Sequence, residues 1–400
     1  MNLEIPKKFK PVTDAAMMAA KTIFRPISRK YDSLEHAYPK ELDLFAAALD
    51  GMNDGGGEVG GAKGSRGEKI ANDGNVKNGS NIANVLNIMA MCYGDVGLLL
   101  AIPRQGLGNA AIAAVANDEQ LKRFGKVWAA MAITEPGAGS DSAAITTTAV
   151  KDGDDYILNG EKIYVTAGER ADAIVVWASI DKSLGRAAIK SFVVEQGTPG
   201  MELVRLETKM GIRASDTAAI SFTNCRVPAA NLLGSPEIDV KKGFAGVMET
   251  FDNTRPFVAA MAVGCAEAAL ERTKELLKDQ IQLNYTSPIN NLKAIESEIL
   301  KLEADYEAAR LLTIKAAWMA DNKMPNSLEA SICKAKAGRV GSRITLKCVE
   351  LCTSLGYSES ELLEKWARDS KILDIFEGTQ QIQQLIIARR LLGKSSKDLK

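Results

Sequence analysis

The sequence predicts an α+β multidomain fold in which an N-terminal helical domain, a middle antiparallel β-sandwich or barrel domain and a C-terminal four-helix bundle follow one another along 400 residues. Three observations carry this expectation. Apolar residues recur at helical spacing through the first third; short β-type runs fill the stretch from about Val127 to Phe222; and the helical period returns after Pro236 in four separate segments. The expected domains are 1–125, with a glycine-rich loop at 51–80, then 126–237 and 238–400.

In the first unit, Leu42, Leu44, Phe45, Ala48 and Leu49 give one apolar helix face, and Ile82 to Ile102 reads as buried helix. The apolar run there is broken by Asn87 and Asp95 and stopped by Pro103, so it is not a membrane span. Between these helices Gly55, Gly57 and Gly60 satisfy GxGxxG, but no apolar strand precedes them and no βαβ unit surrounds them. A surface loop is the better reading.

The middle unit is expected to run through Ile145–Val150, Tyr156–Leu158, a turn at Asn159–Gly160, then Lys162–Thr166, Ala173–Ala178, Ser191–Val194, Leu203–Glu207 and Ala219–Phe222. In the last unit, Phe244 to Phe251, Leu292 to Leu302, Leu328 to Leu351 and Ile382 to Leu391 supply the four helices of an antiparallel bundle.

Composition narrows the chemistry. Lys plus Arg equals Asp plus Glu at 50 each, leaving no basic field for nucleic acid. The N-terminus lacks the pattern of an export signal, and six scattered cysteines suit reduced thiols in a cytoplasmic setting. With His36 the only histidine, His-rich metal sites are excluded and no metal is expected; the chemistry must come from carboxylates or a cofactor.

Five segments draw attention. Ala132-Ile133-Thr134-Glu135-Pro136-Gly137-Ala138-Gly139-Ser140-Asp141 opens the β unit with free amides and hydroxyls. Tyr164-Val165-Thr166-Ala167-Gly168 sets a ring and a hydroxyl on one strand face. Met210 to Thr217 and Asp252-Asn253-Thr254-Arg255-Pro256 follow. Asp374-Ile375-Phe376-Glu377-Gly378-Thr379-Gln380-Gln381-Ile382 places a carboxylate before a flexible glycine and a helix-start threonine. Alone, Glu377 reads as a solvated acid favoured by the helix dipole.

In this order and spacing, from about Asn109 to the end, the five segments closely resemble the acyl-CoA dehydrogenase family. The resemblance implies FAD-dependent α,β-dehydrogenation of an acyl-CoA thioester to the trans-2-enoyl-CoA, with electrons passed to an electron-transfer flavoprotein. It implies Glu377 as the base removing the α-proton. FAD is implied at Met131, Ile133, Thr134, Ser140, Tyr164, Thr166, Thr379 and Gln381, and acyl-CoA at Ser140, Asp252, Arg255, Gly378 and Arg389.

The sequence departs from the family where the neighbouring subunit usually binds FAD. Gln282-Leu283-Asn284-Tyr285-Thr286-Ser287-Pro288 lacks the usual Arg and Phe-Gly pair, and Glu350 to Gly356 replaces a Gln with a Gly-Gly pair. Glu350 facing a diphosphate would repel it. Two oligomers stay open: a homotetramer, or an α₂β₂ heterotetramer in which a partner acyl-CoA dehydrogenase chain donates the missing Arg. The alternatives to dehydrogenation are a non-catalytic or FAD-sharing subunit and an acyl-CoA oxidase-like flavoenzyme.

Overall fold

The computed structural model describes residues 5–53, 79–103, 107–238, 245–394 and 398, without the side chains of 48–53 and 245–253. The GxGxxG glycines 55, 57 and 60, and Phe244, lie outside these residues.

The N-terminal helices are α1 (Lys10–Ala19), α2 (Arg25–Ser33), α3 (Glu41–Asn53), α4 (Ser80–Gly94), α5 (Val96–Ala101), α6 (Leu107–Val115) and α7 (Asp118–Phe124). The expected apolar face of α3 is only partly inward: Leu42 is fully buried, whereas Leu44 is 80% exposed. The buried run from Ile82 to Ile102 is two helices, because the Asp95 carboxylate accepts from the Leu98 amide at 2.8 Å and caps a new start. At the other end of α4 the Asp321 carboxylate accepts from the Gly79, Asn81 and Ile82 amides, capping that helix from across the bundle.

Seven strands form one sheet: β1 (Ala129–Ala132), β2 (Thr148–Asp152), β3 (Asp155–Thr166), β4 (Ala173–Ser179), β5 (Ile189–Glu195), β6 (Met201–Leu206) and β7 (Thr217–Pro228). Their order is β1-β4-β2-β3-β7-β6, with β5 beside β4. Most neighbours are antiparallel, but β1 lies parallel to β4, as does the single paired position between β2 and β4. Alternation in sequence cannot reveal the sense of such pairing.

Asn159–Gly160 is not a hairpin turn. β3 runs unbroken through it, and the turn lies at Gly153, φ 61°. Gly160 instead marks a register shift against β7, where any Cβ would collide with Thr147; the Asn159 side chain accepts from the Asn224 amide at 2.8 Å. A second shift between Lys162 and Val165 accommodates Tyr164 at φ 56°.

The C-terminal helices are α8 (Ala245–Leu276), α9 (Ala294–Asp321), α10 (Ser327–Leu351), the short α11 (Thr353–Tyr357) and α12 (Leu363–Ser370), and α13 (Gln380–Leu392). α4 packs against α8 and joins the bundle core, with Val85, Met89 and Cys92 among Val263, Ala266, Cys333, Ile344 and Trp366. Small residues let these helices approach: a Cβ on Gly264 would collide with the Met89 carbonyl.

One buried network joins the N-terminal helices, the sheet unit and the bundle. Lys365 donates to Asp95 at 2.6 Å and to Asp369 at 2.5 Å, Asp95 accepts from Ser28, and Asp369 accepts from the Ile212 amide at 2.6 Å. Around it Arg368 binds Asp32 at 2.6 Å.

Candidate active site

The sheet contributes the Met131–Ser140 loop and the end of β3. Ile133 is buried, Met131 and Thr134 are half-buried, and Ser140 is exposed. The loop is pinned from beneath. Glu135, buried, accepts from the amides and hydroxyls of Thr146 and Thr147, and from Lys162 at 2.8 Å. Lys162 also donates to the Ile133 carbonyl at 3.1 Å, and the Ile163 amide to the Thr134 carbonyl at 2.9 Å. Burial pushes the Glu135 carboxyl up, but Lys162 and the Thr147 hydroxyl outweigh it and hold it at about 2.

Above this clamp the surface is open. Tyr164 is 62% exposed, Thr166 is half-buried with Val165 buried between them, and a Cβ on Gly137 or Gly139 would meet nothing. The left-handed backbone at Tyr164 brings out a large ring that an uninterrupted strand beside buried Val165 would not require.

The bundle contributes Glu377. Its backbone is left-handed, φ 56°, and so is that of Gly378, φ 89°. Thr379 then caps α13, its hydroxyl accepting from the Ile382 amide at 3.4 Å. The residue as a whole is half-buried, yet its carboxyl is enclosed: burial pushes the pKa up, and the Thr254 hydroxyl, Lys334 and Arg255 bring it only part of the way back. Thr254 donates to the Glu377 carboxylate at 2.8 Å. Glu377 is therefore no solvated first-turn acid.

The sequence alone does not mark Thr254, Lys334 or Gln383 as site residues. Thr254 lies within the Asp252–Pro256 segment, beside the expected Arg255. Lys334 on α10 donates to the Gly378 carbonyl at 2.6 Å, and Gln383 on α13 donates to the Glu377 and Gly378 carbonyls at 3.2 and 3.0 Å. Neither Gln383, one of several glutamines at the start of α13, nor Lys334, one of several cations along α10, is set apart by its local sequence.

Arg255 is buried near Glu377. The Asp252 side chain lies outside the described residues. Gln381 is exposed, and Arg389 is half-buried with its Nε enclosed and without a hydrogen-bond partner. Thus Glu377, Gly378 and Arg255 are drawn together, and Thr134, Tyr164 and Thr166 form a second group on the sheet. Among the described residues no hydrogen bond joins Glu377 to that second group; the Ile212–Asp369 contact ties their supporting elements.

The donor set suits a flavin ring. Thr134, whose carbonyl accepts from the Ile163 amide, and Thr166 are half-buried next to the exposed Tyr164, a set of two hydroxyl-bearing residues and an aromatic ring that matches a planar, partly polar heterocycle. At the expected diphosphate end, Glu350 is exposed and paired with Lys347 at 2.6 Å, and the Gln282–Pro288 segment carries no cation.

Family models described as the acyl-CoA dehydrogenase middle domain and C-terminal domain match residues 130–225 and 241–392. An acryloyl-CoA reductase (NADH) of Anaerotignum propionicum is 38% identical over 267 residues, 66% of this chain and 66% of that protein, just under two thirds of its length. A cyclohex-1-ene-1-carbonyl-CoA dehydrogenase of Geobacter metallireducens is 38% identical over 279 residues, 69% of this chain and 72% of its own. The solved butyryl-CoA dehydrogenase of Megasphaera elsdenii superimposes with a TM-score of 0.82 at 30% identity, covering 98% of this chain and 100% of that one. The chain belongs to the acyl-CoA dehydrogenase family.

Glu135→Gln is expected to loosen the Met131–Ser140 loop by removing the charge partner of buried Lys162. If the loop holds FAD, as the resemblance implies, its affinity for added FAD should fall by about tenfold, corresponding to ~1.4 kcal/mol. Flavin titration followed by fluorescence quenching measures it; an unchanged affinity would show the clamp to be irrelevant to the cofactor.

Proposed function

We propose that this chain is an FAD-dependent dehydrogenase that converts an acyl-CoA thioester to its trans-2-enoyl-CoA and passes the electrons to an electron-transfer flavoprotein. The observation that carries the reading is the enclosed Glu377 carboxyl, raised in pKa and oriented by Thr254. A carboxyl with those properties is a stronger base than one in water and is held for a single task. FAD, when bound, supplies the acceptor for hydride from the β-carbon.

In this reading Met131, Ile133, Thr134, Ser140, Tyr164, Thr166, Thr379 and Gln381 hold the flavin. Ser140, Asp252, Arg255, Gly378 and Arg389 contact acyl-CoA. Glu377 takes the α-proton onto its carboxylate, while its own amide is the donor aimed at the thioester carbonyl. The units divide at 1–125, 126–237 and 238–400, and the assembly is a cytoplasmic tetramer. Among the described residues no helix is long and apolar enough to cross a membrane, and no cluster of His, Cys, Asp and Glu forms a metal site.

The test is anaerobic bleaching of the flavin-loaded protein by short, long, branched and steroid-side-chain CoA esters, followed by an electron-transfer flavoprotein or an oxygen pulse. Bleaching reversed by the flavoprotein is the expected result; reversal by oxygen alone would make the chain an oxidase. A protein bleached by none of the esters would sink the proposal.

A second reading concerns the assembly and rests on Glu350 and the cation-free Gln282–Pro288 segment. In it, a different acyl-CoA dehydrogenase chain completes the FAD site in an α₂β₂ heterotetramer. One FAD per chain with full activity in a homo-oligomer would eliminate it.

A further inference from the structure

Lys334 is wholly buried in α10, and among the described residues it makes no ion pair within 4.0 Å. Ion pairs form around it on the same helix, at Glu329 with Lys315 and at Lys336 with Asp305, but the Lys334 ammonium is spent on the Gly378 carbonyl, 2.6 Å away. A buried ammonium with no carboxylate in ion-pair contact is costly. Burial draws its pKa down to about 8, with Asp374 and Glu377 drawing it up and Arg255 adding to the fall.

We infer that Lys334 is a positioning residue for the base: by binding the Gly378 carbonyl it fixes the left-handed Glu377–Gly378 turn and holds a cation one residue away from the base. The inference rests on the proposed role of Glu377 for its functional meaning. Glu377 is the residue of the pair that needs external support, since a left-handed backbone is disfavoured for an L-residue and tolerated by Gly378. Lys334 supplies it from one side and Gln383 from the other.

The charged and polar groups facing Glu377 are Thr254 and Arg255 from α8, Lys334 from α10 and, at its carbonyl, Gln383 from α13. Those facing Lys334 are Arg255, Glu377 and Asp374, the last lying 3.3 Å from Lys371 and 3.8 Å from Arg339. Removing Lys334 therefore leaves Arg255 as the only cation of this set acting on Glu377, and a single buried unit charge is expected to move a neighbouring carboxyl by about one pH unit or more.

The experiment is infrared titration of the Glu377 carboxyl in substrate-free, FAD-loaded protein, with Glu377→Gln as the spectral blank. Lys334→Met should raise the Glu377 pKa by about one unit, a tenfold gain in proton affinity. Lys334→Arg, which keeps the charge, should restore most of it, and the acid limb of kcat/KM should move in parallel. An unmoved Glu377 in Lys334→Met, or an equal shift in Lys334→Arg, would overturn the inference. If Lys334→Met fails to fold, Lys334→Gln takes its place in the same comparison. The infrared readout needs no turnover, so failure of acyl-CoA to bleach the flavin would condemn the proposed reaction without deciding the role of Lys334.

Discussion

Glu377→Gln is expected to slow acyl-CoA-dependent flavin bleaching by about 10²- to 10⁴-fold, the range a positioned general base contributes. The amide keeps the size of the side chain and can still accept from Thr254. FAD content and fold should therefore match the parent, and only the proton-accepting step is lost. Stopped-flow bleaching measures the effect; a parental rate would remove Glu377 from the reaction.

The same residue sets the pH dependence. Because burial raises its pKa, Glu377 is ionised only above a pH higher than that of an ordinary carboxyl, and the rate should rise with pH through that raised value. The stability effect has the opposite sign. A carboxyl whose folded pKa exceeds its unfolded one opposes folding wherever it is ionised, fully so above the folded pKa and not at all below the unfolded one. The Gln variant should thus gain on the parent at neutral and higher pH, with the gain vanishing toward pH 4.

Lys365→Met should be the most damaging substitution to the fold. It leaves the Asp95 and Asp369 carboxylates buried without their common cation, and breaking a buried pair in this way costs about 3–5 kcal/mol. Burial opposes the Lys365 charge, but Asp369 and Asp95 outweigh it and hold its pKa above the ordinary value. The three units converge here, so denaturation midpoints read from Trp177 in β4 and Trp366 in α12 should fall together. A midpoint shift confined to one probe would show that the network serves only one unit.

The helix, sheet and bundle order was legible because periodicity reports burial, and burial dictates all three. What it could not report was topology within the sheet. β1 pairs in parallel with β4 at a sequence separation of 44 residues, and the Asn159–Gly160 pair, a strong turn signal, is absorbed as a bulge because β7 continues to pair on both sides of it. Leu44 shows the other limit: an apolar residue on the expected face of α3 ends 80% exposed. At the site, Glu377 was legible from its motif, whereas Lys334 was not. Its position follows from the close approach of α10 to the segment before α13, a long-range contact with no local trace.

The left-handed turn at Glu377 also bears on how this protein can be improved. Gly or Asn is better tolerated than Glu at φ 56°, and neither would bury a carboxyl. A search for thermostable variants that scores only survival of the fold is therefore biased toward replacing the proposed base. Selection on heat resistance alone would tend to return robust, inert proteins, and any such campaign should hold position 377 fixed.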